Sequence, residues 1–187
     1  MPGVRTFIAL PMQAPAQQAV AEIQARLRDT NTDVKWESQD KFHITLVFLG
    51  NVDQSKLELL STALAKSVQQ VPCFTMTYES IGTFPTLHHP RIVWIGIRPN
   101  QTVLDLQSIA EHICAGFGFP KEDRMFHPHI TLGRVKETRS LDRLTEAIKT
   151  LTFEPIETRC SEILVMKSEL HSSGSFYTIL KSFPLHT

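Results

Sequence analysis

Phe42-His43-Ile44-Thr45-Leu46 and Pro128-His129-Ile130-Thr131-Leu132 carry one tetrapeptide, His-Ile-Thr-Leu, twice, with the two histidines 86 residues apart. A bare His-x-Thr is expected roughly once in a chain of this composition; the four-residue match at corresponding places in both halves is rarer, on the order of one in a hundred. Both copies sit in apolar, β-branched surroundings that read as strands, His127–Val135 for the second and the larger run Trp36–Leu49 for the first. Side chains at i and i+2 of a strand share a face. His43 with Thr45, and His129 with Thr131, therefore each present an imidazole and a hydroxyl on one side, while Ile44, Leu46, Ile130 and Leu132 turn to the core.

Working outward, the same spacing of 86 relates Arg5 to Arg91 and Gln54 to Ser140. Arg5–Leu10 reads as a strand, Ala14–Arg28 as a helix with Ala16, Val20, Ile23 and Leu27 on one stripe. Asn51-Val52-Asp53 is expected to cap a helix over Gln54–Gln70 whose stripe is Leu57, Leu60, Leu64 and Val68, ended by Pro72. Phe74, Met76 and Tyr78 alternate with polar residues, marking a half-buried strand before a loop over Gly82–Pro90. Arg91–Ile97 then opens a second pass, with a helix over Thr102–Gly116 on the stripe Val103, Leu106, Ile109 and Ile113. A helix capped by Ser140 and carrying Leu141, Leu144 and Ile148 comes next, then strand material over Phe153–Ser168, a turn at His171–Gly174 and a last strand over Ser175–Phe183. Two copies of so long a unit, about residues 4–85 and 90–185, indicate a duplicated α/β unit rather than a solenoid. The expectation is an α+β chain, a single bilobal domain over 1–187 with pseudo-twofold symmetry and antiparallel-rich sheets around a central cleft.

Composition narrows the partners. The 187 residues are 42% hydrophobic and 20% charged, with 19 Lys plus Arg against 19 Asp plus Glu, an ordinary globular balance with zero formal net charge. No global field exists to hold a long nucleic acid, so any such contact is local. The longest apolar run, around Leu46–Leu49, is far short of a bilayer span, and Met1–Met12 lacks a cleavage pattern, which predicts a cytoplasmic protein with no membrane partner. Cys73, Cys114 and Cys160 are odd in number and widely spaced, and are read as three buried thiols.

The pseudo-twofold relation brings the two polar pairs toward one anion-sized space. One imidazole is then placed to act as general base toward a nucleophile while the other, protonated, supplies the leaving oxygen with a proton. The hydroxyls of Thr45 and Thr131 suit the non-bridging oxygens of a phosphoester. That chemistry needs no cofactor. His127 and His129, with His88-His89 in a loop and Glu122 or Asp123 as further ligands, are the candidates for a metal site, but no convincing third ligand stands at a metal-binding spacing. Phe48 reads as a core residue, with a base-stacking ring as the alternative; Arg124 and Tyr177 are weaker candidates for RNA contact.

These stretches resemble the two-histidine phosphoesterase superfamily, and within it the RNA 2′,3′-cyclic phosphodiesterases once described as 2′-5′ RNA ligases. Arg5–Leu10 resembles the opening strand, Phe42–Gly50 and Phe126–Arg134 the two signatures, Arg91–Trp94 the strand between lobes, and Ser168–Leu170 through Tyr177–Leu185 the closing segment. The resemblance implies a bilobal fold whose lobes need not coincide with the sequence halves, because terminal strands are exchanged. It implies hydrolysis of an RNA 2′,3′-cyclic phosphate to a 2′-phosphate, with His43 as proton donor and His129 as acceptor. The reverse reaction with a 5′-hydroxyl would give weak 2′-5′ ligation, and the expectation is a monomer that uses no cofactor. Arg134 resembles the trailing arginine of the second signature, whose guanidinium fork suits phosphate. Lying five residues after His129, it falls on the wrong face of a regular strand, so this role requires a bulge near Gly133 or a strand end; the other reading of Arg134 is a surface ion pair. Other readings of the same four residues are a 2′,5′-oligonucleotide or nucleotide cyclic phosphodiesterase, and a non-catalytic domain that binds RNA ends.

Overall fold

A computed structural model describes residues 3–137, 141–172 and 174–187. Nine strands and four helices alternate along them: β1 (Val4–Pro11), α1 (Ala14–Arg28), β2 (Val34–Trp36), β3 (His43–Val52), α2 (Gln54–Val68), β4 (Phe74–Thr86), β5 (His89–Ile97), α3 (Gln101–Gly116), β6 (His129–Val135), α4 (Asp142–Thr150), β7 (Ile156–Cys160), β8 (Glu162–His171) and β9 (Gly174–Pro184). They build two antiparallel sheets, ordered β3-β1-β8-β9 and β2-β6-β5-β4-β7.

The two sheets share a plan in which each signature strand, β3 or β6, pairs with the strand that opens its half, β1 or β5. The third strand of each sheet comes from the other half. β8, late in the chain, pairs with β1, while β4, from the first half, pairs with β5. Exchange of these strands ties the halves together, since neither sheet forms without both.

The helical stripes Ala16-Val20-Ile23-Leu27 and Leu57-Leu60-Leu64-Val68 are buried as their spacing dictates. On α3 the buried face is Val103, Leu106, Ala110 and Cys114, and Ile109 and Ile113 are only half-buried, a small rotation of the expected stripe. Buried Ile44 and Ile130 anchor the two signature strands, each contributing about 1.5–3 kcal/mol of transfer free energy.

Several boundaries differ from the sequence reading for tertiary reasons. The Gly82–Pro90 stretch is no loop: β4 continues to Thr86 and turns directly into β5, with Gly82 opposite Trp94. A β-carbon at Gly82 would strike the Trp94 indole, so the glycine permits the ring to lie across the sheet. Trp36–Leu49 is broken by a single 3₁₀ turn at Gln39–Lys41, because β2 belongs to the sheet of β6 and β3 to the sheet of β1. Phe153–Ser168 likewise divides at Ser161 into β7 and β8, one in each sheet. Helix α2 ends at Val68, and Asp53 holds its N-cap position without a side-chain capping bond. Ser140, the expected cap of α4, lies outside the described residues, as does Ser173 in the last turn. Cys114 and Cys160 are buried thiols, pushed up to about 12 by desolvation, whereas Cys73 is half-buried rather than buried.

Candidate active site

β3 and β6 present His43 with Thr45, and His129 with Thr131, as half-buried pairs, with Ile44, Leu46, Ile130 and Leu132 buried behind them. Each imidazole is oriented by the backbone two residues before it, just ahead of its strand. Nδ1 of His43 lies 2.7 Å from the Lys41 carbonyl and Nδ1 of His129 lies 2.6 Å from the His127 carbonyl. A carbonyl only accepts, so Nδ1 carries the proton in both rings and Nε2 is left for chemistry. The halves differ in one respect: Nε2 of His43 is 3.1 Å from Oγ1 of Thr45 and accepts from it when neutral.

The rings are walled by aromatics. Phe7 stacks on His43 at 5.0 Å with Tyr177 edge-on at 5.3 Å, and Phe84 meets His129 edge-on at 4.9 Å. Desolvation pulls His43 down to about 4, opposed by its bond to Lys41 and reinforced by His129. His129 is also lowered, first by burial and then by the neighbouring His127 and Arg134.

A bulge interrupts each signature strand one residue after its threonine. Ala9 faces Thr45 and Ile8 faces Val47, leaving Leu46 over; Trp94 faces Thr131 and Val93 faces Gly133, leaving Leu132 over. The extra residue reverses the alternation. Val47 and Gly133 are buried, and the next residues, Phe48 and Arg134, turn outward on the same side as the histidines. Of the two ways for Arg134 to reach the cleft, a bulge or a strand end, the structure has the bulge, with β6 continuing to Val135. Its counterpart acts on Phe48, which is 60% exposed and lines the cleft rather than joining the core.

Between the sheets lies a cleft of about 840 Å³ lined by both histidines, both threonines, Phe48 and Arg134. Among the described residues, Arg5, Lys41, Arg91, Arg124 and Arg134 face it against two carboxylates, Glu37 and Glu122, so a chain of zero net charge concentrates cations there. Tyr177 also lines it. Sequence reasoning missed Lys41, Glu37 and Phe84. Glu37 lies 4.0 Å from Lys41 Nζ and 3.8 Å from Arg134 Nε, so one carboxylate braces two cations. The one sequence signal for Lys41 is its place two residues before His43, the carbonyl position that His127 occupies for His129. Among the described residues no three His, Cys, Asp or Glu side chains converge as metal ligands, and His88 and His89 do not line the cleft.

A cleft with one His-Thr pair from each of two strand-exchanged sheets defines a class of two-histidine proteins, and comparison with known proteins narrows it. The family model described as the 2'-5' RNA ligase superfamily matches residues 11–171, and the chain belongs to that superfamily. It is 32% identical over 183 residues to an RNA 2',3'-cyclic phosphodiesterase of Methanothermobacter thermautotrophicus, covering 97% of this chain and 99% of the relative. Identity to the protein of the same name from Methanocaldococcus jannaschii is also 32%, over 96% and 100% of the two chains. Among solved structures, E. coli LigT complexed with 3'-AMP superposes with a TM-score of 0.80 at 27% identity and full coverage of both chains. No described helix is long and apolar enough to cross a membrane.

Proposed function

We propose that this chain hydrolyses RNA 2′,3′-cyclic phosphate ends to 2′-phosphomonoesters by metal-independent acid–base catalysis. The observation that carries the reading is the pair of matched His-Thr sets in one cation-rich cleft, each histidine with Nδ1 engaged by a backbone carbonyl two residues before it and Nε2 free of backbone partners. Full-length relatives named RNA 2',3'-cyclic phosphodiesterase support the same substrate.

In the mechanism, neutral His129 accepts a proton at Nε2 from water as the water oxygen bonds to phosphorus. Protonated His43 gives its Nε2 proton to the departing 3′ oxygen as the P–O3′ bond breaks. Phosphorus keeps the 2′ oxygen, and solvent exchange restores the two protonation states. The roles of donor and acceptor follow the family resemblance, because the two histidines are nearly equivalent by symmetry. Thr45, Thr131 and Arg134 hold the non-bridging oxygens and stabilise the charge that gathers on them. Reverse attack by a 5′-hydroxyl would form a 2′-5′ bond, but hydrolysis prevails against roughly 55 M water unless both RNA ends are held. The whole chain acts as one bilobal unit and as a monomer in the cytoplasm, a reading supported by the strand exchange, by free thiols and by the RNA substrate.

The deciding experiment incubates EDTA-treated protein with an oligoribonucleotide ending in a 2′,3′-cyclic phosphate and identifies the product isomer. A 2′-phosphate is expected. A 3′-phosphate, or activity that vanishes on chelation and returns with Zn²⁺ or Mn²⁺, overturns the mechanism.

A further inference from the structure

Gln24 stands on the core-facing stripe of α1, between Ile23 and Leu27, and its side chain is buried to 4% exposure. A polar residue there is costly unless its amide is bonded. It is bonded twice. Nε2 donates to the Glu37 carbonyl at 2.7 Å and to the Leu132 carbonyl at 2.8 Å, and the Glu37 backbone N–H donates to that same Leu132 carbonyl at 2.9 Å. Leu132 is the extra residue of the β6 bulge, the feature that turns Arg134 into the cleft. Glu37 is the residue whose carboxylate faces Arg134 and Lys41. One buried amide thus joins the backbone of the bulge to the backbone of the carboxylate that braces its arginine.

We propose that Gln24 is a positioning residue for Arg134: it holds the bulge and Glu37 at a fixed separation, so that the guanidinium is presented to the substrate phosphate. The proposal rests on the phosphodiesterase reading for the role of Arg134, and does not require Gln24 to touch substrate. An isosteric apolar residue would leave the Glu37 carbonyl without its donor and release the bulge from α1.

The test is a double-mutant cycle in KM for a short cyclic-phosphate RNA and in Kd for inorganic phosphate, using Gln24→Leu, Arg134→Ala and the double variant. Gln24→Leu is expected to raise both constants about tenfold in the wild-type background, and less than twofold where Arg134 is already alanine, with kcat changed less than threefold. Equal factors in both backgrounds, or a lowered melting temperature with unchanged KM and Kd, overturn the proposal. If Gln24→Leu does not fold, Gln24→Asn, which keeps the amide but is one methylene short, takes its place with the same expectations. An independent measurement needs no variant: the Gln24 side-chain amide resonances of the wild-type protein are expected to be protected from solvent exchange and to shift on phosphate titration, and resonances indifferent to phosphate overturn the coupling. The phosphate measurements keep this test separate from the enzymatic one, since they stand even if cyclic-phosphate hydrolysis is not found.

Discussion

Phe48 and Arg134 occupy the same place in the two halves, five residues after a signature histidine and two after the extra residue of a bulge, yet one brings a ring and the other a guanidinium to the cleft. The His-Thr pairs are alike, so in the proposed reaction it is this difference that gives the substrate a direction. Anionic oxygens are drawn toward Arg134, and an unpaired base finds an apolar face at Phe48. Base–aromatic stacking contributes about 1–3 kcal/mol. Phe48→Ala is therefore expected to raise KM about tenfold for a nucleotide substrate with any of the four bases, with little change in kcat. Steady-state kinetics with four cyclic mononucleotides check this, and a KM that stays unchanged for all four removes the ring from binding.

In the proposed mechanism the histidines act as a unit. His43→Ala and His129→Ala are each expected to lower kcat by about 10²- to 10⁴-fold while leaving far-UV circular dichroism intact, since each removes one proton transfer. The double variant should lose much less than the product of the two factors. Turnover near wild type in either single variant is incompatible with the proposed proton transfers.

Recognition of a terminus through a few contacts predicts a shallow salt dependence. Five cations line the cleft, but Lys41 and Arg134 already share Glu37, so binding a short cyclic-phosphate RNA should release about one to four counterions. The slope of log Kd against log salt measures this number. A slope corresponding to eight or more phosphates would mean a longer footprint than the cleft offers.

That Arg134 reaches the cleft only through a bulge beside Gly133 or a strand end was legible in the sequence, because it sits an odd number of residues after His129 on a strand whose polar face is set by His129 and Thr131; the register decides for the bulge. The same arithmetic applied to Phe48, and its apolar character concealed it: a phenylalanine on a strand reads as core until the register is known. Gln24 carried a weak signal, a polar side chain at a core phase of α1. Glu37 carried none, since its value lies in contacts to Lys41 and, across β2 and β6, to Arg134. Which strands are exchanged, β4 and β8, was not legible: the family resemblance implied only that terminal strands can change lobes, and local periodicity reports a strand's faces and not its partners.

Burial of His43 couples the site to stability. Its folded-state pKa of about 4 lies below the usual 6.5, so between these values the unfolded chain binds a proton that the folded chain does not. Stability contributed by the neutral ring is fully present above pH 6.5, declines as pH falls through the window, and is lost once pH is below about 4. The decline from this one group is at most about 3 kcal/mol. Urea denaturation at pH 7.0, 5.5 and 4.5 is expected to show a steeper loss for the wild type than for His43→Gln. Parallel curves would mean that His43 titrates alike in the folded and unfolded chains.

The same depression fixes where the enzyme works. The proposed catalysis needs one imidazole neutral and the other charged, and both are lowered, so in the free enzyme this singly protonated arrangement is expected to be most populated below pH 6.5 rather than at neutrality. The profile of kcat/KM should therefore be a bell with unit slopes and an apex on the acid side of 6.5, its two apparent pKa values belonging to the coupled pair. A bound phosphodiester carries a negative charge beside both rings and raises both values, so the bell for kcat should lie at higher pH than the bell for kcat/KM. The substrate's own charge is constant across this range, which leaves the shift to the histidines. Measuring both profiles between about pH 4 and 9 on a short cyclic-phosphate RNA checks the order of the two bells. An alkaline plateau in kcat/KM would remove the imidazolium donor, and a kcat bell on the acid side of the kcat/KM bell would mean that the bound phosphate does not face both rings.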